Sequence, residues 1–115
     1  MILKIQYVVF YTNDMGRAVT FYRKFLGPEC EGSDDRFTEF RVGDALFGIK
    51  MSTEPREAPG HQTVILECDD VKSIYGFCRG LDVPTAKELS VESWGVNFAV
   101  LDPDGNKVEF VQRQT

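Results

Sequence analysis

The pattern of hydrophobic residues changes within the first quarter of the chain, from one typical of a strand to one typical of a helix. From Ile2 to Tyr11 the run is rich in β-branched and aromatic residues, which is typical of a strand. After Asn13-Asp14 apolar residues recur about every 3.6 positions, which indicates an amphipathic helix. An acidic side chain at a helix start accepts a bond from a free backbone N–H, so this pair predicts where the helix begins. Gly27 and Pro28 predict where it ends. The helical stripe consists of Met15, Ala18, Val19, Tyr22, Phe25 and Leu26.

The same plan returns 56 residues later. Gln6–Arg23 falls on Gln62–Arg79 with five identities in eighteen positions. A strand-like run, Thr63–Cys68, again precedes an acidic pair, Asp69-Asp70, and then a helical period that Gly80 is expected to end. The second stripe consists of Val71, Ile74, Cys78 and Leu81. The chain therefore reads as two copies of one structural unit.

Further strands follow each predicted helix. In the first half they cover 27–32, 36–42 and 45–51, and in the second half 84–89, 96–102 and 107–112. Gly43-Asp44 predicts a hairpin, and the Asp102–Asn106 stretch, DPDGN, predicts a tight turn. Each half is thus β-α-β-β-β: module 1 covers residues 1–51, a polar linker 52–61, and module 2 residues 62–115.

Half of this chain would be a marginal domain alone, because a sheet with one helix buries only one of its faces. We therefore expect one domain over residues 1–115. Its class is α+β, with the strands forming an incomplete barrel around a cavity and the helices on the outer face.

Composition narrows the possible partners. The net charge is −5 and the sequence pI is about 4.8, and the thirteen basic residues are scattered. Nucleic acid and anionic membranes are therefore not expected partners, because phosphates need clustered Lys and Arg. No apolar run reaches the ~20 residues of a membrane span, and no signal-peptide pattern occurs at the N-terminus. Three widely spaced cysteines indicate buried thiols and a cytoplasmic protein.

The chain resembles the vicinal oxygen chelate superfamily, which includes glyoxalases, bleomycin-resistance proteins and ring-cleaving dioxygenases. The resemblance spans essentially the whole chain and is carried by VVFYTNDMGRAVTFYRKFLG and, more specifically, by WGVNFAVLDPDGNKVEF. It implies paired β-α-β-β-β modules, a homodimer, and a barrel that opens around a small-molecule site.

Enzymes of this superfamily hold a divalent metal with one residue from each of four strands. By resemblance these positions fall on Tyr7, Gly48, Thr63 and Glu109, of which only Glu109 is a usual ligand. Ring-cleaving dioxygenases need two His and a carboxylate, whereas this chain has a single His. Glyoxalase-type isomerisation also needs a metal. The expectation is therefore a protein without a cofactor; if it is an enzyme, it is a lyase or isomerase.

Strand alternation assigns a mixed aromatic and charged face to the cavity and an apolar face to the core. The predicted ligand-binding residues are Tyr7, Tyr11, Glu39, Arg41, Gly48, Thr63, Glu67, Trp94 and Glu109. Each has an alternative. Trp94 packs at an interface or stacks on a ligand, the tyrosines are half-buried sheet residues, and the charged residues form ion pairs, such as Lys107 with Glu109. His61 is either a loop residue or a displaced metal ligand acting with Glu109.

Three hypotheses follow. The first is a metal-free, homodimeric protein that sequesters or senses a small organic ligand, with aromatic compounds among the candidates. The second is a metal-dependent lyase or isomerase with displaced ligands such as His61 and Glu109. The third is a dimerisation module whose cavity has collapsed.

Overall fold

Each half of the chain folds as one sheet covered by one helix. The computed structural model describes residues 1–27 and 33–114. The elements are β1 (Tyr7–Thr12), α1 (Met15–Leu26), β2 (Phe37–Val42), β3 (Ala45–Met51), β4 (Thr63–Glu67), α2 (Val71–Gly80), β5 (Thr85–Glu92), β6 (Gly95–Leu101) and β7 (Lys107–Arg113). The predicted α+β class is confirmed. The chain forms two compact units, residues 1–60 and 61–115. The joining of both units in one domain, and the incomplete barrel, stay predictions.

Acidic caps start both helices, as the sequence indicates. The Asp14 carboxylate accepts a hydrogen bond from the backbone N–H of Arg17 at 3.1 Å. Asp70 accepts bonds from the N–H of Ser73 at 3.2 Å and from its hydroxyl at 2.7 Å. These bonds satisfy N–H groups that have no partner inside the helix. No helix within the described residues is long and apolar enough to cross a membrane.

The first unit is built on a three-stranded sheet with the order β1-β3-β2, which we call sheet 1. β1 runs parallel to β3, and β2 forms an antiparallel hairpin with β3. Phe10, Tyr22 and Phe47 meet beneath the helix with ring centroids 4.9–6.4 Å apart. This aromatic cluster fixes α1 to one face and leaves the other face for a site.

The second unit repeats this arrangement in a four-stranded sheet with the order β4-β7-β6-β5, which we call sheet 2. β4 runs parallel to β7, as β1 does to β3. Phe98 and Phe110 stack at 5.1 Å on the helix side, and Val71 of α2 is fully buried. The internal repeat predicted from the sequence therefore corresponds to a repeated strand-pairing plan.

Two predicted strands differ from the structure. The first strand begins at Tyr7 rather than Ile2, because its register with β3 starts at the Tyr7–Leu46 pair. Just before it, the Gln6 carbonyl still accepts the Leu46 N–H at 3.3 Å. Ile2 is 93% exposed. The strand predicted at 27–32 falls largely outside the described residues, and Gly27 itself is the cap of α1, with φ 78°.

The turn between β6 and β7 is organised by Asp102. One carboxylate oxygen accepts bonds from the N–H groups of Asp104 and Asn106 at 2.9 Å, and the other accepts the Asn106 side-chain amide at 2.8 Å. The side-chain amide oxygen of Asn106, Oδ1, in turn accepts the N–H of Gln62 at 3.1 Å. Because Gln62 directly precedes β4, this chain of bonds sets the register of β4 against β7.

Candidate functional site

The face of sheet 1 opposite α1 collects most of the predicted residues of the first unit. Tyr7, Val9 and Tyr11 of β1 lie opposite Leu46, Gly48 and Lys50 of β3. The same three β3 residues lie opposite Arg41, Glu39 and Phe37 of β2. Alternation along paired strands puts all nine on one face. The face assignment made from the sequence holds for this sheet.

An open cleft of about 560 Å³ lies on this face, and we call it the sheet-1 cleft. Its lining includes three predicted residues, Tyr7, Glu39 and Arg41. The other lining residues are Gln6, Ser33, Asp34, Phe37 and Leu46. Small-molecule sites have volumes of about 300–1,000 Å³ and combine apolar walls with a few polar groups. The cleft therefore has the size of a small-molecule site, with a mostly polar lining in which Phe37, Leu46 and the Tyr7 ring are the apolar parts.

Tyr7 and Glu39 form the central polar contact of the cleft. The Tyr7 hydroxyl donates to the Glu39 carboxylate at 2.6 Å, from one outer strand of sheet 1 to the other. A bond this short from a neutral hydroxyl to a carboxylate is charge-assisted and fixes the direction of both side chains. The sequence offers an ion pair as the alternative role of the charged residues; the observed partner of Glu39 is the Tyr7 hydroxyl.

The ring of Phe37 occupies the space above Gly48. A Cβ atom built on Gly48 would lie 2.6 Å from the Phe37 Cζ atom, well inside van der Waals contact. Phe37 also meets Tyr7 edge to face, with centroids 6.0 Å apart. The small residue therefore makes room for a side chain of the protein itself, at a position where the resemblance implies a carboxylate ligand.

Lys50, on the same face, is directed to the loop after β3. Its ammonium donates to the Glu57 carboxylate at 2.7 Å, and Glu57 also accepts the Thr53 N–H at 2.9 Å. The Lys50 ammonium is the main group that lowers the pKa of Glu57, to about 2, and the Thr53 amide adds to it. The predicted linker 52–61 thus contains an ordered turn. Tyr11, opposite Lys50, is half-buried and outside the lining of the cleft.

Sheet 2 presents Thr63, Ile65 and Glu67 on the corresponding face. Glu109 lies between Ile65 and Ala99, and its carboxylate is 3.9 Å from the Lys107 ammonium. This is the pair that the sequence offered as an alternative to ligand binding. Thr63 and Glu67 are exposed at opposite ends of β4.

Register identifies equivalent positions in the two units. The 56-residue repeat places Val9 on Ile65, and these residues pair with Gly48 and Glu109, respectively. Gly48 and Glu109 therefore occupy the same position in their sheets, as the resemblance implies.

Trp94 and His61 lie away from Glu109 in the second unit. Trp94 sits in the β5–β6 turn and is 43% exposed, and its carbonyl accepts the Gln114 N–H at 2.8 Å. Ala99, which faces Glu109, is five residues along the strand from Trp94, or about 17 Å. His61 is exposed and precedes β4 by two residues, so about 13 Å of strand separates it from Ile65, opposite Glu109.

The donors at the four implied metal positions do not fit a divalent cation. Gly48 has no side chain, Thr63 is a neutral hydroxyl, and the Tyr7 hydroxyl is bound to Glu39. Within residues 1–27 and 33–114, no three His, Cys, Asp or Glu side chains are grouped as metal ligands. Burial raises the pKa of the Cys78 thiol to about 11 and also raises the pKa of Cys68, so neither is a ready nucleophile.

Sequence reasoning missed part of the cleft lining. Gln6 was not selected, because alternation in the predicted strand Ile2–Tyr11 put it on the face opposite Tyr7. Asp34 was not selected, because it belongs to the turn before β2. The alternation rule selects only residues inside strands. A second open cleft, of about 680 Å³, lies beside the start of α1 and contains none of the predicted residues.

Comparison with known proteins identifies the family. A model of the Glyoxalase/Bleomycin resistance protein/Dioxygenase superfamily matches residues 4–110. A search of curated proteins found no match.

Solved structures share the fold. The chain is similar to TnmS3, an antibiotic binding protein from Streptomyces sp. CB03234, with TM-score 0.81 and 22% identity over 98% of each chain. It is similar to lactoylglutathione lyase from Agrobacterium tumefaciens, with TM-score 0.78 and 18% identity over 95% of this chain and 92% of that one. The oxidase ChaP-H2 gives TM-score 0.80 and 18% identity over 99% and 96% of the two chains.

Proposed function

The chain belongs to the glyoxalase/bleomycin resistance protein/dioxygenase superfamily, and we propose that it is a metal-free member that binds a small organic ligand in the sheet-1 cleft. Its role is to sequester or sense that ligand. The observation that carries the proposal is the lining of the cleft, where an aromatic corner of Tyr7 and Phe37 adjoins Glu39 and Arg41. Rings supply contact area at low entropic cost, and the charged groups orient a ligand.

The donor chemistry supports a binder over a metal enzyme. Three of the four implied ligand positions hold Tyr7, Gly48 and Thr63, none of which is a usual ligand. One similar structure is described as an antibiotic binding protein, and others as a lyase and an oxidase. The proposal extends small-molecule binding, as in the antibiotic binding protein, to this chain. It also includes a homodimer and a cytoplasmic location.

A second candidate is a dimerisation module without a ligand. It is favoured by the Phe37 ring, which already fills the space above Gly48. The two candidates differ in whether a ligand stabilises the folded protein.

A thermal-shift screen of drugs and metabolites tests the proposal. A ligand at 100 times its dissociation constant stabilises the folded state by about 2.7 kcal/mol. The stabilisation should fall in Tyr7→Phe and Glu39→Gln, which remove the central polar contact. Glu54→Gln is the matched control, because Glu54 forms an exposed ion pair with Arg56 outside the cleft.

Two results would count against the proposal. Stoichiometric metal in protein purified without a histidine tag, lost in Glu109→Gln, would support the metal-dependent alternative. No stabilising compound in a broad library, with a dimer in light scattering, would support the dimerisation module.

A further inference from the structure

The two carboxylates of the sheet-1 cleft, Asp34 and Glu39, form no ion pair with the residues that the structure describes. Within the part of the chain that the structure describes, Glu39 has a single hydrogen bond, from the Tyr7 hydroxyl to one carboxylate oxygen. Asp34, at the rim, accepts the backbone N–H groups of Arg36 and Phe37 at 2.8 and 2.9 Å. Neither carboxylate forms an ion pair among these residues, although the charge of Arg36 helps to lower the pKa of Asp34. Glu39 is therefore the carboxylate that is left without a cationic partner there.

The rest of the lining suits a positive charge. The Tyr7 and Phe37 rings meet at an interplanar angle of 80°, which makes two walls of a corner beside Glu39. Aromatic faces attract cations electrostatically, and aromatic corners of this kind recognise ammonium groups. An uncompensated carboxylate beside two aromatic walls is complementary to an organic cation more than to a neutral or anionic molecule.

The charges of Arg41 and Asp34 are compatible with a preference of the cleft for an organic cation. Arg41 is two residues beyond Glu39 on β2, about 6.6 Å along the strand, and its side chain is exposed. The Arg36 and Phe37 amides lower the pKa of Asp34, which keeps that carboxylate ionised. Among the described lining residues, the cleft carries the carboxylates of Asp34 and Glu39 and the guanidinium of Arg41, while Arg36 acts on Asp34 from outside the lining.

We propose that the sheet-1 cleft selects organic cations, either protonated amines or quaternary ammonium compounds. Glu39 is the counter-ion, and the Tyr7 and Phe37 rings are the walls that hold the cationic carbon groups. Tyr7 is the positioning residue for Glu39, since its hydroxyl fixes one carboxylate oxygen and leaves the other for the ligand. The inference rests on the proposed function, because it names the ligand class of the same cleft.

Calorimetric titration with three benzyl compounds of different charge tests the inference. The probes are benzyltrimethylammonium, benzyl alcohol and phenylacetate, which carry a positive, zero and negative charge. The wild-type protein should bind the cation in preference to both other probes. Glu39→Gln should weaken that binding about tenfold, equivalent to ~1.4 kcal/mol, while Glu54→Gln leaves it unchanged.

A further variant separates the contribution of the aromatic rings to binding from that of the carboxylate charge. Phe37→Leu removes an aromatic face at similar volume. It should weaken binding of the cation without strengthening binding of benzyl alcohol. Circular dichroism shows that each variant is folded before it is titrated.

Each outcome has a distinct meaning. Suppose the protein prefers phenylacetate, and Tyr7→Phe weakens that binding. This result would overturn the cation inference but would leave ligand binding in the cleft standing. Cation binding that Glu39→Gln does not alter would also overturn it. If no probe binds and the thermal-shift screen also finds no ligand, both the inference and the proposed function fail.

Discussion

The contact between Phe37 and Gly48 gives the sharpest test of the sheet-1 cleft. A methyl group added by Gly48→Ala would lie 2.6 Å from the ring tip, about 1 Å closer than carbon atoms normally approach. The ring or the β2–β3 hairpin must move, and overpacking of this kind costs about 1–3 kcal/mol. Gly48 is outside the set of residues with positive φ, so its backbone accepts alanine without strain.

The same substitution should change sign when the ring is removed. In a Phe37→Ala background the clash is absent, and alanine should stabilise the strand by about 0.5–1 kcal/mol relative to glycine. A double-mutant cycle should therefore give a coupling energy of about 1.5–4 kcal/mol between positions 37 and 48. Urea unfolding followed by circular dichroism measures the four free energies of unfolding.

A matched glycine provides the control. A Cβ atom on Gly76, in the middle of α2, would meet nothing within 4 Å. Gly76→Ala should therefore stabilise the protein by about 0.8–1 kcal/mol in both backgrounds. Equal effects of Gly48→Ala with and without Phe37 would refute the claim that this ring fills the space above Gly48.

Two further predictions concern the turn after β6 and the loop after β3. Asp102→Ala should destabilise the second unit by about 3 kcal/mol, because it removes the carboxylate bonds to Asp104 and Asn106, whereas Asp44→Ala in an exposed turn should cost less than about 0.5 kcal/mol in the same urea assay. The pKa of Glu57 is lowered from 4.5 to about 2, so its stabilising contribution is complete above pH 4.5 and is lost as pH falls through 2. The gap in melting temperature between wild type and Glu57→Gln should therefore shrink over that range, and a gap that is constant across it would contradict the Lys50–Glu57 pair.

The sequence predicted the repeated plan of the fold because its signals are local. The acidic caps Asp14 and Asp70, the Gly43-Asp44 hairpin and the change of hydrophobic period each act within a few residues. The extent of β1 is not local. It depends on where β3 begins, since the register between the two strands starts at Tyr7 and Leu46. Strand ends are therefore set by pairing, which the hydrophobic pattern does not record.

For the candidate site, too, the sequence predicted what is local and missed what depends on contacts between strands. Alternation placed Tyr7, Glu39 and Arg41 on one face, and the structure brings them to one cleft. The Tyr7–Glu39 bond joins residues 32 apart in sequence, and the Phe37 ring over Gly48 depends on a rotamer. Glu109, which the sequence singled out as a metal position, has Lys107 beside it. Side-chain partners across strands follow from the register and packing, which appear only in the folded chain.

The central claim is that the sheet-1 cleft is the ligand site. Amide chemical-shift mapping of the strongest compound from the thermal-shift screen tests it most directly, on uniformly ¹⁵N-labelled protein. The largest shifts should lie on β1 and β2 around Tyr7, Phe37 and Glu39, and Glu39→Gln, but not Glu54→Gln, should raise the concentration of compound at which they are half-complete. Shifts confined to sheet 2, around Glu67 or Glu109, would contradict it.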